Sequence, residues 1–155
     1  MQSGPHHILE DSLPDGRDFP ARVDDLLAAL PALLNLTPTD LDYSAESLRK
    51  IERKLKRLGF DKCLQPPIFP AVVAYLGEMM RRQIPNSTWK TRLHEDGKTW
   101  EPWVVDPQGR VCNPWMDLYD DLAEGPMSLG NIPYSRAASR QLPPPGFWEQ
   151  VERKG

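Results

Sequence analysis

The sequence predicts an α+β protein in which helices pack on one face of a small antiparallel β-meander, with irregular proline-rich termini. Two observations lead to this class. Apolar side chains recur at helical spacing across residues 21–84, and an alternating pattern interrupted by two turn signals follows across residues 87–112. Consecutive helices followed by consecutive strands favour segregated layers over a βαβ arrangement.

The length of 155 residues fits a single domain with its own core. We divide the chain into a mobile N-terminal arm, one α+β domain and an irregular proline-rich C-terminal extension, at residues 1–18, 19–125 and 126–155. The arm has nothing regular to bury among its glycines, prolines and acidic side chains. In the extension, Phe147, Trp148 and Val151 are expected to dock as a short segment.

Two helices are predicted in the first part of the domain. The first covers residues 21–30, and Pro31 is expected to break it or to restart it. The second runs from Ala45 to Leu58, with Ser44 as its N-cap and Gly59 as its stop. Its other face is basic, but no aromatic residues interleave with these charges and the chain has a net charge of −3. We therefore interpret the face as solvated and expect neither nucleic-acid nor membrane binding.

A third helix is predicted over residues 71–84 and ends before Pro85. Gly77 lies in its middle, where glycine costs about 1 kcal/mol relative to alanine, so we expect another backbone to pass close to it. Glu78 beside it is either a functional carboxylate or an ordinary helix-surface glutamate.

Three strands are predicted, at residues 87–94, 98–105 and 110–112. A hairpin turn at residues 95–97 and a type I turn at residues 106–109 join them into a meander. Alternation places Trp89 in the core. Pro102 cannot donate a hydrogen bond to a neighbouring strand, so the second strand is expected to be at an edge or to carry a bulge.

A final helix is predicted from Pro114, with Asn113 as its cap, to Gly125. Its polar face is acidic and consists of Asp117, Asp120, Asp121 and Glu124. This face is either solvated or a docking patch for a basic partner. It lacks the glycine-bearing loop of a calcium site, so no metal is predicted there.

The sequence lacks the motifs of several classes of function. No glycine-rich phosphate loop follows a strand, so the common arrangements for nucleotide binding are not predicted. Cys63 and Cys112 have neither CxxC spacing nor a nearby histidine pair, so zinc is not predicted. They are expected to be reduced thiols, with a single disulfide as the alternative. His6 and His7 are adjacent and do not project to one point, and no cofactor is predicted.

The apolar run near the N-terminus, residues 26–36, is interrupted by Pro31 and preceded by acidic residues. This pattern fits neither a signal peptide nor a membrane span. A cytoplasmic location is therefore expected.

Charge is segregated along the chain. Residues 1–42 hold eight acidic and two basic side chains, residues 43–62 hold three and seven, and residues 96–125 hold seven and two. Acidic blocks on a chain of modest negative charge favour a basic protein partner over a nucleic acid.

Two passages of the sequence resemble a known group of proteins. They are AYLGEMMRR at residues 74–82 and WVVDPQGRVCNPW at residues 103–115. Together with the tryptophan-bearing strand between them, they resemble small bacterial α+β domains of unknown function, some of which are associated with toxin-immunity loci. The resemblance covers residues 41–124 and rests on structural motifs, such as Gly77 with Glu78 on a helix and Gly109 in a turn. It implies an immunity role and brings over no catalytic residue.

The function expected from these observations is non-enzymatic protein binding, most concretely by a bacterial immunity or inhibitor protein that binds a basic toxin. The expected contact residues are Trp100, Trp103, Asp117, Asp120 and Asp121. Because Trp100 and Trp103 are three apart, they cannot both face one side of a regular strand, and we expect one to be exposed. The oligomeric state is left open.

Two alternatives remain at this stage. One is a small hydrolase or transferase that uses His94 with Glu78 or Glu95. An isolated His94 at an exposed hairpin tip would argue against it. The other is a structural subunit whose proline-rich arms lie along neighbouring molecules.

Overall fold

The computed structural model describes residues 8–125 and 128–149, and it confirms an α+β fold. The described helices are α1 (Phe19–Leu33), α2 (Ala45–Leu58), α3 (Phe60–Cys63), α4 (Ile68–Gln83), α5 (Pro114–Glu124) and α6 (Ile132–Ala138). The strands are β1 (Thr88–Leu93), β2 (Trp100–Val105) and β3 (Val111–Cys112). Short helical turns lie at Ile8–Ser12, Gly16–Asp18, Pro38–Asp40 and Leu129–Asn131.

Helix α4 is the centre of the fold. It is buried almost continuously from Phe69 to Met80 and packs against α1, α5 and α6. A helix that is apolar around most of its circumference requires such surroundings. It begins three residues before the predicted start because Pro70 lies in its first turn, where the missing N–H costs no hydrogen bond. No helix in the described ranges is long and apolar enough to cross a membrane.

Helix α1 continues through Pro31 to Leu33, so the predicted break at this proline is wrong. Pro31 lies in the last turn, where its fixed φ is compatible with the helix and only one N–H is lost near the end. The neighbouring bonds persist, since Leu34 N donates to Leu30 O at 3.2 Å and Leu36 N donates to Pro31 O at 2.8 Å.

The sheet is the predicted antiparallel meander, in the order β1-β2-β3. Its second turn also matches the prediction, since Gly109 N donates to Asp106 O at 3.0 Å. Pro102 pairs with Thr91 in an unbroken β1–β2 register, so there is no bulge. Strand β3 reaches only to Val104, so β2 is an edge on that side at Pro102, as expected.

The two faces of the sheet have different neighbours. Directly opposed residues share a face, so Trp89, Leu93, Trp100 and Val104 form the inner face, whereas Lys90, Arg92, Glu101 and Trp103 form the outer face. On the inner face, the ring of Trp89 packs against Phe19, with centroids 5.3 Å apart. It also covers Gly77, so the close neighbour of this glycine is an indole ring and not the expected backbone.

The N-terminal segment packs on the domain from Ile8 onward, although residues 1–7 lie outside the described residues. Leu9 and Leu13 are buried in the core, which contradicts the prediction that residues 8–18 have nothing to bury. Arg17 lies over the Trp100 ring, 4.3 Å from its centroid. Two leucines at i and i+4 are enough to anchor a short turn.

The C-terminal segment is less irregular than predicted. It contains α6, which packs on α4, and it buries Leu129, Ile132 and Ala137. Residues 139–149, here called the strap, then cross to the sheet, where Gln141 forms a bridge with Val111. Phe147 and Trp148 dock as expected, in a turn, while Val151 lies outside the described residues.

Candidate functional site

A buried charge cluster lies on the outer face of the sheet, centred on Glu101. Arg92 Nη1 donates to both Glu101 oxygens, at 3.1 and 3.2 Å, and Trp103 Nε1 donates to Oε1 at 2.7 Å. His94 Nδ1 lies 2.5 Å from Oε2, and since a carboxylate only accepts, this nitrogen carries the proton. Glu101 is 4% exposed, so these donors replace the water that its charge would need.

The strap is fastened to this cluster. Arg92 Nε donates to the Phe147 carbonyl at 2.7 Å, and the guanidinium lies 4.3 Å from the centroid of the Phe147 ring. The same ring meets Trp103 edge to face, with centroids 4.9 Å apart. Lys90 lies over Trp148 at 4.3 Å. The strap therefore covers the outer face through aromatic rings, and Arg92 joins it to Glu101.

A cleft of about 340 Å³ opens beside the strap, a volume at the lower end of the range for ligand sites. Its apolar side is formed by Trp103, Phe147 and the strap prolines, and its polar side by Asn113, Asp117, Arg136 and Arg140. Leu142 stands on the rim and is 66% exposed. Tryptophan, phenylalanine and arginine are enriched at protein-binding surfaces, and this cleft contains all three beside the exposed leucine.

The Asp106 carboxylate binds Arg140, which lines the cleft. Its carboxylate accepts bonds from the backbone N–H groups of Gln108 and Arg110, at 2.9 and 2.8 Å, and from Arg110 Nε at 2.8 Å and Arg140 Nε at 2.7 Å. Burial opposes ionisation, but these bonds from Arg140 and Arg110 outweigh it and lower the pKa of Asp106 to about 2. Arg140 is thus fixed in place.

Asp117 is the most unusual group in the cleft. Burial, and to a smaller extent the neighbouring Asp120, raises its pKa to about 6, although the charge of Arg136 acts in the opposite direction. Arg136 Nε lies 3.2 Å from Asp117 Oδ1, and the Arg136 side chain is 43% exposed. Among the described residues, Arg136 is the ion-pair partner of this carboxylate; its side chain is partly exposed, whereas its Nε atom is buried and has no hydrogen-bond partner.

This shift predicts how Asp117 affects stability. Between the ordinary pKa of 3.8 and the folded value of about 6, the folded protein keeps a proton that the unfolded chain has lost. The contribution of Asp117 to stability therefore falls as pH rises through this interval. We expect Asp117→Asn to raise the Tm at pH 8, and we expect this gain to disappear near pH 4. Thermal unfolding from pH 4 to pH 8 measures it, with the exposed Glu95→Gln as control. A difference in Tm independent of pH would contradict the assignment.

The structure places the predicted contact residues in different parts of the molecule. Trp103 and Asp117 line the same cleft. Trp100 lies on the opposite face of the sheet, under Arg17. Both tryptophans are half-buried, so the expectation that one is exposed is wrong. The strap covers one ring and the Gly16–Asp18 turn covers the other.

The acidic face of α5 is not the continuous solvated face that the sequence predicts. Asp117 lies in the cleft, whereas Asp121 is buried beside Glu52 in a separate cavity. Asp120 is half-buried, and burial together with Glu124 raises its pKa. Of these four residues only Glu124 is exposed.

His94 is not isolated, but its partner is Glu101 and not Glu78 or Glu95. Glu78 faces the other side of the sheet, where it accepts bonds from Trp89 Nε1 at 2.6 Å and Arg81 Nη1 at 2.9 Å. These bonds hold the indole over Gly77, so Glu78 has a structural role. Within the described residues, no serine, threonine or cysteine is hydrogen-bonded to His94.

Sequence reasoning missed Glu101. The structure pairs Glu101 with Arg92, on the face that also carries His94, whereas the predicted turn at residues 95–97 pairs Arg92 with Trp100.

The cysteines are free and buried in different places, Cys112 in the wall of the cleft and Cys63 in the cavity beside Asp121. Burial raises the pKa of each thiol to about 11, so neither is a thiolate nucleophile at neutral pH. No group of three or more potential metal ligands occurs in the part of the chain that the structure describes.

No protein-family model matches this chain, and comparisons with curated proteins and with solved structures give no significant match.

Proposed function

We propose that this chain is a non-enzymatic protein-binding domain that takes its partner at the cleft. The observation that carries the proposal is the exposed Leu142 on the rim of a cleft that also contains Trp103 and Asp117. Apolar, aromatic and arginine side chains gathered around a concave site are the usual composition of a binding hot spot.

The chemistry of the cleft favours a basic side chain as the group that enters. Asp117 loses solvation and has a single ion-pair partner among the described residues. A lysine or arginine from a partner would gain from pairing with this carboxylate. Exposed acidic side chains at the N-terminal end add long-range attraction for a basic protein; they are Glu10, Asp11, Asp18, Asp24 and Asp25.

The biological role that we propose is that of a bacterial immunity or inhibitor protein, acting in the cytoplasm and neutralising a basic toxin by covering its surface. The motif resemblance around Gly77 and Asn113 supports this role, as do the small size and the charge of the chain. A binding protein of this kind needs a preformed surface, which the anchored strap supplies.

Affinity purification from the native host tests the proposal. Leu142→Asp changes only an exposed side chain, and Tyr134→Asp is a matched control, because Tyr134 is 39% exposed and does not line the cleft. We expect the wild type and Tyr134→Asp to retain the same protein partner, and Leu142→Asp to lose it. Equal recovery by both variants would exclude the cleft, and recovery of no partner by the wild type would argue against a binding function.

One observation favours a second function. The Nδ1–Glu101 bond orients His94 and leaves its Nε2 as an acceptor, which is the arrangement of a general base in hydrolases. A panel of ester and amide substrates tests this function. Turnover by the wild type that is lost in His94→Gln would support it, and no turnover by the wild type would exclude it for these substrates.

The structural-subunit alternative gains no support, since the described parts of both terminal segments pack on their own domain.

A further inference from the structure

The strap lies on the outer face of the sheet in the way that a bound peptide lies on a site. Among the described residues, its backbone is linked to the sheet at two points, the bridge between Gln141 and Val111 and the bond from Arg92 Nε to the Phe147 carbonyl. Between these points the strap contains three consecutive prolines, which have no N–H to donate, and residues 144–146 are exposed. No residue of the strap is buried in the core. The strap is therefore held mainly by its two aromatic rings.

The groups that hold the Phe147 ring are themselves positioned by a residue outside the strap. Glu101 accepts a bond from Arg92 Nη1 at 3.1 Å and one from Trp103 Nε1 at 2.7 Å. Arg92 also donates from Nε to the Phe147 carbonyl at 2.7 Å. Because Glu101 orients both side chains, the site keeps its shape when the strap leaves, and a preformed site binds a ligand at a lower cost in entropy.

The contacts of the strap indicate which chemistry this face accepts. Arg92 binds the carbonyl of Phe147 and also lies over its ring, 4.3 Å from the centroid. Trp103 meets the same ring edge to face. Lys90 lies over the next ring, that of Trp148. These contacts depend on two consecutive aromatic side chains and one main-chain carbonyl, which another chain can also supply.

We propose that the outer face of the sheet is a second protein-binding surface, which takes a partner segment with two consecutive aromatic residues when the strap is displaced. In the free protein the strap occupies this surface and keeps it closed. The first ring of the partner replaces that of Phe147 between Arg92 and Trp103. Its second ring replaces that of Trp148 under Lys90. Because Phe147 also lines the cleft, the cleft loses part of its wall when the strap leaves, so a partner is bound at one surface or the other.

NMR titration of the full-length protein tests this surface with the synthetic peptide acetyl-Pro-Gly-Phe-Trp-Glu-amide, which has the sequence of residues 145–149. The double variant Phe147→Ala with Trp148→Ala opens the surface without shortening the chain. We expect the peptide to shift the Trp103 Nε1–H signal of this variant saturably. Binding to the wild type should be at least tenfold weaker, because its own strap occupies the same surface. A control peptide with alanine in place of both aromatic residues should not bind.

Three further substitutions, each made in the opened double variant, identify the groups that bind the peptide. Arg92→Met should weaken binding at least tenfold, since it removes a charged hydrogen-bond donor. Lys90→Met should weaken it about threefold, the usual contribution of an exposed cation–π contact. Lys98→Met is the matched control, because Lys98 is an exposed lysine of the same hairpin, and it should bind unchanged. The two lysine variants keep the test informative if Arg92→Met unfolds.

Three results would overturn the proposal. They are no saturable binding to the opened variant, equal binding to the opened variant and the wild type, and equal binding to the Lys90→Met and Lys98→Met variants. None of these titrations needs a partner from the native host, so their failure is distinct from a failure of the function proposed for the cleft.

Sedimentation analysis of the wild type tests whether a second copy of this chain is the occupant instead. We expect a monomer up to about 100 µM, because a tethered segment has an effective concentration of about millimolar and excludes the strap of another copy. A dimer that is lost in the Phe147→Ala, Trp148→Ala variant would show that straps exchange between copies, and it would overturn the proposal of a different partner.

Discussion

Gly77→Ala is expected to lower the free energy of unfolding by about 3 kcal/mol, the upper end of the usual cost of overpacking a core. A Cβ at residue 77 would lie 2.1 Å from Trp89 Cη2 and 2.4 Å from Cζ2. The ring cannot yield easily, because Phe19 packs against it and Glu78 holds its Nε1. In an exposed helix the same substitution would stabilise by about 1 kcal/mol, so the sign of the effect is diagnostic.

Urea denaturation followed by circular dichroism measures this effect. The matched control is the double variant Gly77→Ala with Trp89→Leu, in which the smaller side chain leaves room for the methyl group. We expect the alanine to cost much less in that background than in the wild type. A stabilising or neutral Gly77→Ala would show that the indole does not lie on this glycine.

Glu101→Gln should lower the free energy of unfolding by about 3–5 kcal/mol, because removing one member of a buried ion pair leaves the other charge uncompensated. Arg92 is 10% exposed and would keep its charge in the same place. The amide has one acceptor oxygen where the carboxylate uses two for Arg92, His94 and Trp103. The strap should also loosen, since Arg92 is the residue that joins it to the cluster.

Denaturant unfolding gives the stability, and amide hydrogen exchange across residues 141–149 reports on the strap. Glu95→Gln is the control, because Glu95 lies in the same hairpin and is exposed. The double variant Arg92→Met with Glu101→Leu should recover most of the loss, since it removes both charges. If Glu101→Gln is as stable as Glu95→Gln, the cluster does not support the outer face.

Local signals explain why some elements were predictable. Helix α2 has the predicted bounds, because Ser44 Oγ accepts from Ser47 N at 3.1 Å and Gly59, with φ of +91°, ends the helix. The meander and its turns were predictable for the same reason. A cap or a turn is determined by residues a few positions apart, and the sequence shows these directly.

The site was less predictable, because its contacts join distant segments. Trp103 and Asp117 were identified as contact residues from their chemistry, and the structure places both in the cleft. The cleft itself depends on the strap, and although the aromatic residues of the strap predict that it docks, no local pattern indicates that Phe147 meets Trp103. Helix α6 was missed because seven residues are too few to show a helical period.

The distance along the chain between Arg92 and Phe147 has a consequence for biosynthesis. The two residues are 55 positions apart. At roughly 5–20 residues per second, a ribosome needs about 3–11 s to make that stretch. Once Val105 at the end of β2 has been made, the hairpin exists while the ring that covers Trp103 does not. The newly made sheet therefore passes through a period with an uncovered tryptophan and unshielded charges, when it is most open to aggregation and to chaperones.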